Sequence, residues 1–426
     1  MSRFLVQNAV TRTSETVDIE IRDGEITRIA NAGTIDTDAF DKVERFDAAG
    51  SLVTPSFSEP HTHLDTALTV GEARENESGT LEEGWVVWEE VREQLTKEGV
   101  KRRAEKNLRW FVSNGVTRVR THVDVTAPHW ESVEALLELQ QELASLVDLE
   151  LIAFPINSVT EDANTLNQVE RALEMGVDIV GGLPHREPTR EAGVEHVQRL
   201  VSLAEAYDRP MDFHIDESDD PQSRYTETLI RETTRRDISD RVTASHVTAM
   251  HSYPNTYARK LIDMLARSDA SVVTNPMANA IVQGRYDDYP RRRGHTRVRE
   301  LRDAGVTVGI GQDAVMDTTY QYGNGDPLSA AFVLMHFAHM NLRSDIPDLW
   351  DMLTYGNADI HGVENYGLEA GAEGSLVVFD SPDQFNALRT QLPRQLVLKE
   401  GKPVARKEQT SEVLVDGEEI TYNHTY

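Results

Sequence analysis

Short apolar runs alternate with amphipathic segments through the middle of the chain, and this alternation constrains the fold more than any other feature. The segments TKEGVKRRAEKNLRWFVSNG and REAGVEHVQRLVSLAEAYD, for example, have apolar residues at i, i+3, i+4 and i+7. The eight runs are SLVTPSFSEPH, GVTRVRTHVDV, DLELIAFPIN, VDIVGGLPH, RPMDFHIDE, RVTASHVTA, ASVVTNP and GVTVGIGQDA. Eight strands that are each followed by a helix predict an α/β fold, a (β/α)8 barrel over residues 53–365.

The two ends of the chain have a different pattern. TVDIEIRDGEITRIA alternates apolar and polar residues around an Asp23-Gly24 turn, as a β-hairpin does. The C-terminal segments GSLVVFD, QLVLKEGKPVAR and SEVLVDGEEITYN have the same character. These patterns predict one small β-sheet domain that combines residues 1–52 with residues 366–426.

Six of the 14 histidines fall where the predicted strands end. Two of them, His61 and His63, are separated by one residue, and residues i and i+2 of an extended chain point to the same face. Barrel enzymes place their catalytic residues at the C-terminal ends of the strands, so this clustering predicts a site there. The other polar residues at these ends are His122, Asp124, His185, His214, Asp216, Glu217, His246, Gln312 and Asp313.

Four of these side chains predict a site for one divalent metal ion. A catalytic metal binds three or four nitrogen and oxygen ligands and keeps an open position for water. Many binuclear barrel hydrolases bridge two metals with a carboxylated lysine on the fourth strand, but no lysine occurs between Lys106 and Lys260. A single metal ion is therefore expected. Its candidate ligands are His61, His63, His214 and Asp313.

Three residues are candidates for the catalytic groups. A metal ion lowers the pKa of its bound water to about 7, and Asp313 could accept the proton of that water. Glu217 follows His214 by three residues and could carry the proton to a leaving nitrogen. His246 could hold the hydroxide in place or stabilise developing charge.

Other polar residues have a simpler interpretation. His122, Asp124 and His185 are predicted to be structural groups or hydrogen-bonding supports of the site. The basic run Arg291–Arg293 is interpreted as a solvated or subunit-contacting loop rather than a phosphate site.

The composition excludes several classes of partner and chemistry. The formal charge of −29 would repel the phosphates of nucleic acids and anionic membranes. Only eight of the 43 basic residues are lysine, and the acidic excess is spread along the chain, as suits the salt-rich cytoplasm of a halophile. No cysteine is present, which excludes thiolate metal sites. The N-terminus lacks a signal-peptide core and no run approaches about 18 apolar residues, so a cytoplasmic protein is expected.

A series of motifs resembles the cytosine-deaminase-like group of the amidohydrolase superfamily over nearly the whole chain. The motifs are PHTHLDTAL, GVTRVRTHVDV, HIDESDDPQSR, VTASHVTAMHSY, QGRYDDYPRRRGHTRV and the segment around Asp313. The resemblance implies a TIM barrel with a flanking β-sandwich from both termini. It also implies a single Fe(II) or Zn(II) ion on the four ligands named above, with Glu217 and His246 completing the catalytic machinery.

The resemblance implies hydrolytic deamination of a nitrogen heterocycle. The most favoured reaction is the conversion of cytosine and water to uracil and ammonia. The expected partners are a small heterocyclic substrate and further copies of the chain in a homo-oligomer, without nucleic acid or membrane. The other class of zinc deaminase is excluded because its metal site needs cysteines.

Three departures from the cytosine enzymes concern the substrate pocket. Ile156 stands where those enzymes carry a glutamine that reads the pyrimidine edge. Gln312-Asp313-Ala314 replaces a His-Asp-Asp run, and Thr319 stands where a tryptophan lines the pocket. Loss of a hydrogen-bonding group leaves a polar edge of the substrate unpaired, which weakens its binding. The residues expected to line the pocket are Leu81, Phe154, Ile156, Ala314 and Thr319.

These departures leave alternatives open. One is an N-alkylammelide-type triazine aminohydrolase, and others are deaminases of oxidised or methylated pyrimidines, of isoguanine or of creatinine-like rings. A cyclic-amide hydrolase is less favoured because Glu217 and His246 match the deaminases. A scaffold that keeps its metal only for folding is opposed by the intact set of proton-transferring residues.

Overall fold

The computed structural model describes residues 3–35, 43–128, 130–409, 412–415 and 418–421. The predicted domain of both termini includes residues 1–2, 36–42, 410–411, 416–417 and 422–426, which lie outside the described residues.

Eight parallel strands form a barrel and confirm the predicted fold class. Neighbouring strands are hydrogen-bonded in the order in which they occur along the chain. The end of the last strand also meets the first, because the backbone N–H of Asp313 donates to the carbonyl of His61 at 2.8 Å. The barrel is thus nearly closed. Its strands are β6 (Phe57–Thr62), β7 (Val116–Asp124), β8 (Asp148–Phe154), β9 (Ile179–Gly182), β10 (Met211–Ile215), β11 (Val242–His246), β12 (Ser271–Thr274) and β13 (Val308–Ile310).

Helices connect these strands and cover the outside of the barrel. The two longest coincide with the two amphipathic segments of the sequence, and the hydroxyls of Thr96 and Thr189 cap their N-termini. The helices are α1 (Leu81–Arg92), α2 (Lys97–Ser113), α3 (Glu131–Glu142), α4 (Thr165–Met175), α5 (Arg190–Ala206), α6 (Tyr225–Thr234), α7 (Asn255–Ser268), α8 (Pro276–Val282), α9 (Val298–Asp303), α10 (Pro327–Phe337), α11 (Ile346–Asp351), α12 (Asn357–Ile360) and α13 (Gln384–Thr390).

The main hydrophobic core lies between the barrel strands and their helices. Phe57, Phe111 and Phe213 are fully buried in it, and the ring of Phe57 lies 5.8 Å from the ring of Trp350. Parallel strands are covered on both faces, which explains why their sequences are nearly continuous apolar runs. This rigid scaffold fixes the positions of the side chains that follow each strand.

Two further sheets confirm the flanking β-sandwich that both termini build. One has the order β3-β2-β1-β4, with β1 and β4 parallel. The other is antiparallel, with the order β16-β15-β14-β5. Phe4, Ile19, Leu376 and Leu396 share one core between the two sheets. The strands are β1 (Arg3–Val10), β2 (Thr16–Arg22), β3 (Glu25–Asn31), β4 (Glu44–Asp47), β5 (Val53–Pro55), β14 (Leu376–Phe379), β15 (Arg394–Lys399) and β16 (Lys402–Arg406).

Strands β17 (Glu412–Val415) and β18 (Glu418–Thr421) pair with each other in a separate hairpin. The exact extents of the two domains, residues 1–52 with 366–426 and residues 53–365, stay a prediction. No helix within the described residues combines the length and the apolar character that crossing a membrane requires.

The first apolar run divides between two sheets, which its sequence does not reveal. Strand β5 pairs with β14 in the sandwich, and after Ser56 the chain continues as β6 of the barrel. The N–H of Ser56 donates to Ser375, and the N–H of Phe57 donates to Gly115. Both short strands are buried, so they form one uninterrupted apolar run in the sequence.

Candidate active site

The predicted metal ligands meet at the C-terminal end of the barrel. Nε2 of His63 lies 3.0 Å from Nε2 of His214 and 3.3 Å from Oδ1 of Asp313. Nε2 of His61 lies 3.6 Å from the same carboxylate oxygen. His61 and His63 lie at the end of β6, His214 lies in β10 and Asp313 follows β13, so three parallel strands bring these side chains to one point.

The predicted catalytic His246 belongs to the same cluster. His61, His214, His246 and Asp313 each offer one ligand atom, and these four atoms lie within 4.8 Å of one another. His246 also contacts Glu217, which lies outside these four residues, with 3.4 Å between Nδ1 of His246 and Oε1 of Glu217. The structure therefore brings together all six residues that the sequence assigned to metal binding and catalysis.

The side chains at this point are chemically suited to a divalent cation. Nε2 of His61 is buried without a hydrogen-bond partner, an arrangement that costs free energy in a protein interior. Burial and the neighbouring histidines lower the pKa of His214, so its imidazole is neutral and keeps a lone pair for a ligand. Burial opposes ionisation of Asp313, but the nearby imidazoles of His61 and His63 hold its pKa well below its usual range. Neutral imidazoles and a carboxylate could hold a divalent metal.

A hydrogen-bonded chain beneath the cluster orients His61. Its Nδ1 lies 2.9 Å from Oγ of Ser245 and 3.1 Å from Nε2 of His122. Ser245 in turn donates to Oδ1 of Asp212 at 2.7 Å. Such partners fix the direction of a ligating imidazole and leave its other nitrogen facing the metal. His122 is therefore placed as the supporting residue that the sequence predicted.

Glu217 and Asp313 are buried carboxylates with opposite displacements of their pKa. Burial and the nearby charge of Asp313 raise the pKa of Glu217 well above its usual value. Asn279 donates from Nδ2 to Oε1 of Glu217 at 3.0 Å, and the same nitrogen lies 3.0 Å from Nδ1 of His246. Two carboxyl groups whose environments separate their pKa values are typical of an acid and a base in one site. Asn279 was not among the predicted site residues, although it follows the seventh apolar run.

A buried glutamate within the barrel wall was also missed. Oε1 of Glu59 accepts the backbone N–H of His61 and of Gln312, each at 3.0 Å, and so joins the first strand to the segment after the last. Burial raises the pKa of Glu59 to about 8, although these two hydrogen bonds oppose the shift. The signal was a carboxylate inside an otherwise buried run, next to the His-x-His motif.

A cavity of about 60 Å³ lies above the candidate metal ligands. Four of the five expected lining residues lie on its wall, namely Leu81, Phe154, Ile156 and Thr319. The fifth, Ala314, is buried but does not line the cavity. The chain turns at Asp313, whose φ of 62° is left-handed, and the backbone of Ala314 packs closely against Gly323.

Helix α1 forms a roof over this cavity. Trp85 and Trp88 line the cavity one helical turn apart, a feature that the sequence analysis did not use. Asp124 supports the roof, because its Oδ2 accepts the indole N–H of Trp88 and a guanidinium N–H of Arg92, each at 3.2 Å. Gly84 allows close approach, since a Cβ there would lie 2.7 Å from the methyl group of Thr319.

The remaining predicted support, His185, lies beside the ring of Trp85, with 6.5 Å between the ring centroids. Burial lowers its pKa to about 3, and it does not line the cavity. In the basic run, Arg292 pairs with Asp287 at the surface, and Arg291 is exposed. Both ring nitrogens of His185 are buried without a hydrogen-bond partner among the described residues, so the structure does not show it as a hydrogen-bonding support. The exposed arginines agree with a solvated loop.

Comparisons with known proteins identify the family. Residues 70–419 match the amidohydrolase family. The crystal structure of 5-methylcytosine deaminase from Klebsiella pneumoniae with 5-fluorocytosine is similar, with a TM-score of 0.91 and 39% identity over 95% of this chain and 98% of that chain. N-isopropylammelide isopropyl amidohydrolase of Pseudomonas sp. strain ADP is 28% identical over 380 residues, which cover 86% of this chain and 89% of the relative.

Pterin deaminase of Rhizobium rhizogenes strain K84 is likewise 28% identical, over 394 residues that cover 91% of this chain and 88% of the relative. These similarities cover between 86% and 95% of this chain. This chain belongs to the amidohydrolase family and is an enzyme that acts on carbon–nitrogen bonds.

Proposed function

We propose that this amidohydrolase is a metal-dependent deaminase of a nitrogen heterocycle. The observation that carries the proposal is the pair of buried carboxylates beside the candidate metal ligands, with the pKa of Glu217 raised and the pKa of Asp313 lowered. Deamination needs one group that delivers a proton to the ring and one that accepts a proton from water. The pair provides both at neutral pH.

The metal in this proposal is a single Fe(II) or Zn(II) ion. A divalent ion in such a site supplies hydroxide at neutral pH by lowering the pKa of water to about 7. His61, His63, His214 and Asp313 would hold it, since their nitrogen and oxygen atoms converge and include no thiolate. We assign His246 to catalysis rather than to the ligand set, because its Nδ1 lies 3.4 Å from Oε1 of the proton-transferring Glu217.

The chain's own residues transfer the protons. The ionised carboxylate of Asp313 accepts a proton from the attacking water, and the protonated Glu217 donates one to the ring nitrogen beside the reacting carbon. His246 donates a hydrogen bond to the developing oxyanion. The carbon–oxygen bond forms, Asp313 then passes its proton to the amino group, and the carbon–nitrogen bond breaks to release ammonia. The proton of the new hydroxyl group passes to Glu217 as the carbonyl forms, so both carboxyl groups return to their starting states.

An aminopyrimidine with an apolar substituent is the substrate class that we favour, with 5-methylcytosine as the type. The 39% identity to a 5-methylcytosine deaminase supports this class. Phe154, Ile156, Leu183 and Trp88 give the cavity a largely apolar wall, which suits a methyl group better than a polar edge. Plain cytosine remains a candidate substrate, and the other polar heterocycles are less favoured.

An N-alkylated triazine of the ammelide type is the second candidate. It is favoured by the similarity to N-isopropylammelide isopropyl amidohydrolase and by the same apolar wall. We rank it second because that identity is 28%, against 39% to the 5-methylcytosine deaminase.

The experiment is an amine-release assay in molar salt with the metal-loaded enzyme. The panel contains cytosine, 5-methylcytosine, N-isopropylammelide and pterin, with Glu217→Gln as the control for contaminating activity. It also contains the cyclic amide dihydroorotate, whose ring opening releases no amine and is followed by ultraviolet absorbance. We expect the highest kcat/KM for 5-methylcytosine. Release of no amine from any ring, or preferred hydrolysis of the cyclic amide, would overturn the proposal.

A further inference from the structure

The cavity contains a carboxylate that neither the metal site nor the proton transfers use. Asp317 lies four residues after Asp313, lines the cavity and is 3% exposed. Within the described part of the chain, no arginine, lysine or histidine makes an ion pair with it. A buried carboxylate without a cation is costly unless hydrogen bonds satisfy its oxygens.

The two oxygens of Asp317 have different surroundings. Oδ1 accepts three hydrogen bonds from its own loop, from the N–H of Thr319 at 2.8 Å, the hydroxyl of Thr319 at 2.7 Å and the N–H of Tyr320 at 3.0 Å. Among the described residues, Oδ2 accepts only from the hydroxyl of Thr66, at 2.8 Å. That hydroxyl also lies 3.3 Å from the carbonyl of His63, with which it shares its single hydrogen.

The three hydrogen bonds to Oδ1 hold the loop that contains Asp317. Oδ2 is therefore available to accept a hydrogen bond from a ligand. A carboxylate oxygen accepts about two hydrogen bonds, and Thr66 supplies at most one of those to Oδ2. Thr66 and Asp317 both line the cavity, which places this carboxylate at the wall that a bound substrate would face. Burial raises the pKa of Asp317, and the hydrogen bonds from Tyr320, Thr319 and Thr66 oppose that shift.

The substrate has a hydrogen-bond donor that needs an acceptor. Heterocycles of the proposed class carry a ring N–H beside a carbonyl, and this N–H loses water when the ring enters an apolar cavity. Ile156 has no polar atom in its side chain to pair with that edge. A hydrogen bond from the ring to a carboxylate is stronger than one to a neutral acceptor.

We propose that Asp317 is a specificity-determining residue whose Oδ2 accepts a hydrogen bond from an unsubstituted ring N–H of the substrate. This inference rests on the proposed deaminase function and narrows its substrate class. The enzyme accepts rings with a free N–H beside the carbonyl and discriminates against the same rings alkylated at that nitrogen.

The test compares 5-methylcytosine with 1,5-dimethylcytosine in the parent enzyme and in Asp317→Asn. Three donors face Oδ1, so the amide oxygen of the variant takes that position and its NH2 group replaces Oδ2. An acceptor therefore becomes a donor. In the parent, we expect kcat/KM for 5-methylcytosine to exceed that for 1,5-dimethylcytosine by about 10- to 100-fold. In the variant, this ratio should fall below about threefold.

Two controls separate recognition from folding. Asp18→Asn removes another buried carboxylate, which accepts the N–H groups of Asn8 and Gly33 in the sandwich, and should leave the ratio unchanged. Asp317→Ser is the second variant if Asp317→Asn does not fold. Metal content is measured for every variant and should stay at the parent value.

Equal turnover of the two rings by the parent, or an unchanged ratio in both Asp317 variants, would overturn the inference while leaving the deaminase function intact. If no ring of the panel releases an amine from the parent, the proposed function fails and this inference fails with it.

Discussion

The side-chain amide of Asn279 donates a hydrogen bond to Glu217, with 3.0 Å between Nδ2 and Oε1. The bond engages one oxygen of the carboxyl group, and the cavity lies beside the residue. Because an amide N–H only donates, the engaged oxygen acts as the acceptor and the other oxygen can carry a proton. The geometry thus favours one orientation of a protonated Glu217.

Glu217→Gln should lose most of the activity while the metal stays bound. Glutamine keeps the shape of the side chain but cannot transfer a proton, a role typically worth about 10²- to 10⁴-fold. Initial rates and metal content of the same preparation measure both effects. A variant that turned over within about threefold of the parent would exclude the assigned role.

We predict one divalent metal ion per chain, held by His61 and its neighbours. His61→Ala should lose both metal and rate, because Nε2 of His61 faces Asp313 at 3.6 Å at the centre of the cluster. His336→Ala is the control, since this histidine is exposed on α10. Elemental analysis that found two metal ions per chain at full activity, or full metal content in His61→Ala, would contradict the prediction.

The barrel and the floor of the site were predictable for one physical reason. Parallel strands that are buried on both faces form visible apolar runs, and all of them end at the same rim of the barrel. Residues such as His61, His214 and Asp313 therefore come together whatever the connecting loops do. The sequence positions of strand ends are sufficient to place them.

The site residues that were not predicted from the sequence reach the site from loops and helices. Trp88 lies above the cavity because Asp124 accepts its indole N–H, and Asn279 reaches Glu217 from a short helix after β12. Asp317 enters the cavity through a loop that its own carboxylate holds. Such positions depend on tertiary contacts that periodicity does not encode. The division of the first apolar run between two sheets was hidden for a similar reason.

Stability should depend on pH through Glu187. Burial alone would raise its pKa, but hydrogen bonds from His196, Ser158 and Thr160 lower it to about 2. His196 contributes as a neutral donor, because burial lowers its pKa and its Nε2 accepts the N–H of Leu183. The folded pKa lies below the unfolded value of about 4.3, so the stabilisation is complete above that value and is lost as the pH falls towards 2.

Glu187→Gln should therefore lower the free energy of unfolding by about 1–2 kcal/mol at pH 7. The difference between variant and parent should shrink as the pH falls from about 5 to about 2. Urea denaturation at a series of pH values measures it, with Glu161→Gln at an exposed position as the control. A constant difference across this range would show that the charge of Glu187 is not responsible.

Salt should stabilise the protein, which would support the predicted halophilic source. The chain has 72 acidic and 43 basic residues, which give a net charge of −29. Its excess carboxylates repel one another at low ionic strength. The Debye length falls from about 10 Å at 0.1 M salt to about 3 Å at 1 M. The unfolding temperature should rise between 0.1 and 2 M KCl more than in sorbitol of equal osmolality. Equal effects of both would remove the electrostatic explanation.

Weak turnover of cytosine is the expected consequence of Ile156. The side chain lines the cavity, and its position is fixed because the backbone carbonyl of Ile156 accepts a guanidinium N–H of Arg186 at 2.9 Å. A small polar pyrimidine would place one polar edge against this apolar group. An unpaired buried polar group costs about 1–3 kcal/mol.

Ile156→Gln should raise kcat/KM for cytosine by roughly tenfold, because the amide can pair with the pyrimidine edge. Adding Ala314→Asp should contribute less, since Ala314 does not line the cavity. Leu183→Gln adds the same amide elsewhere on the wall and should give no gain, so it separates a specific hydrogen bond from a more polar cavity. If the parent already deaminates cytosine near about 10⁴ M⁻¹s⁻¹, the low end of ordinary enzyme efficiency, then Ile156 does not set the specificity.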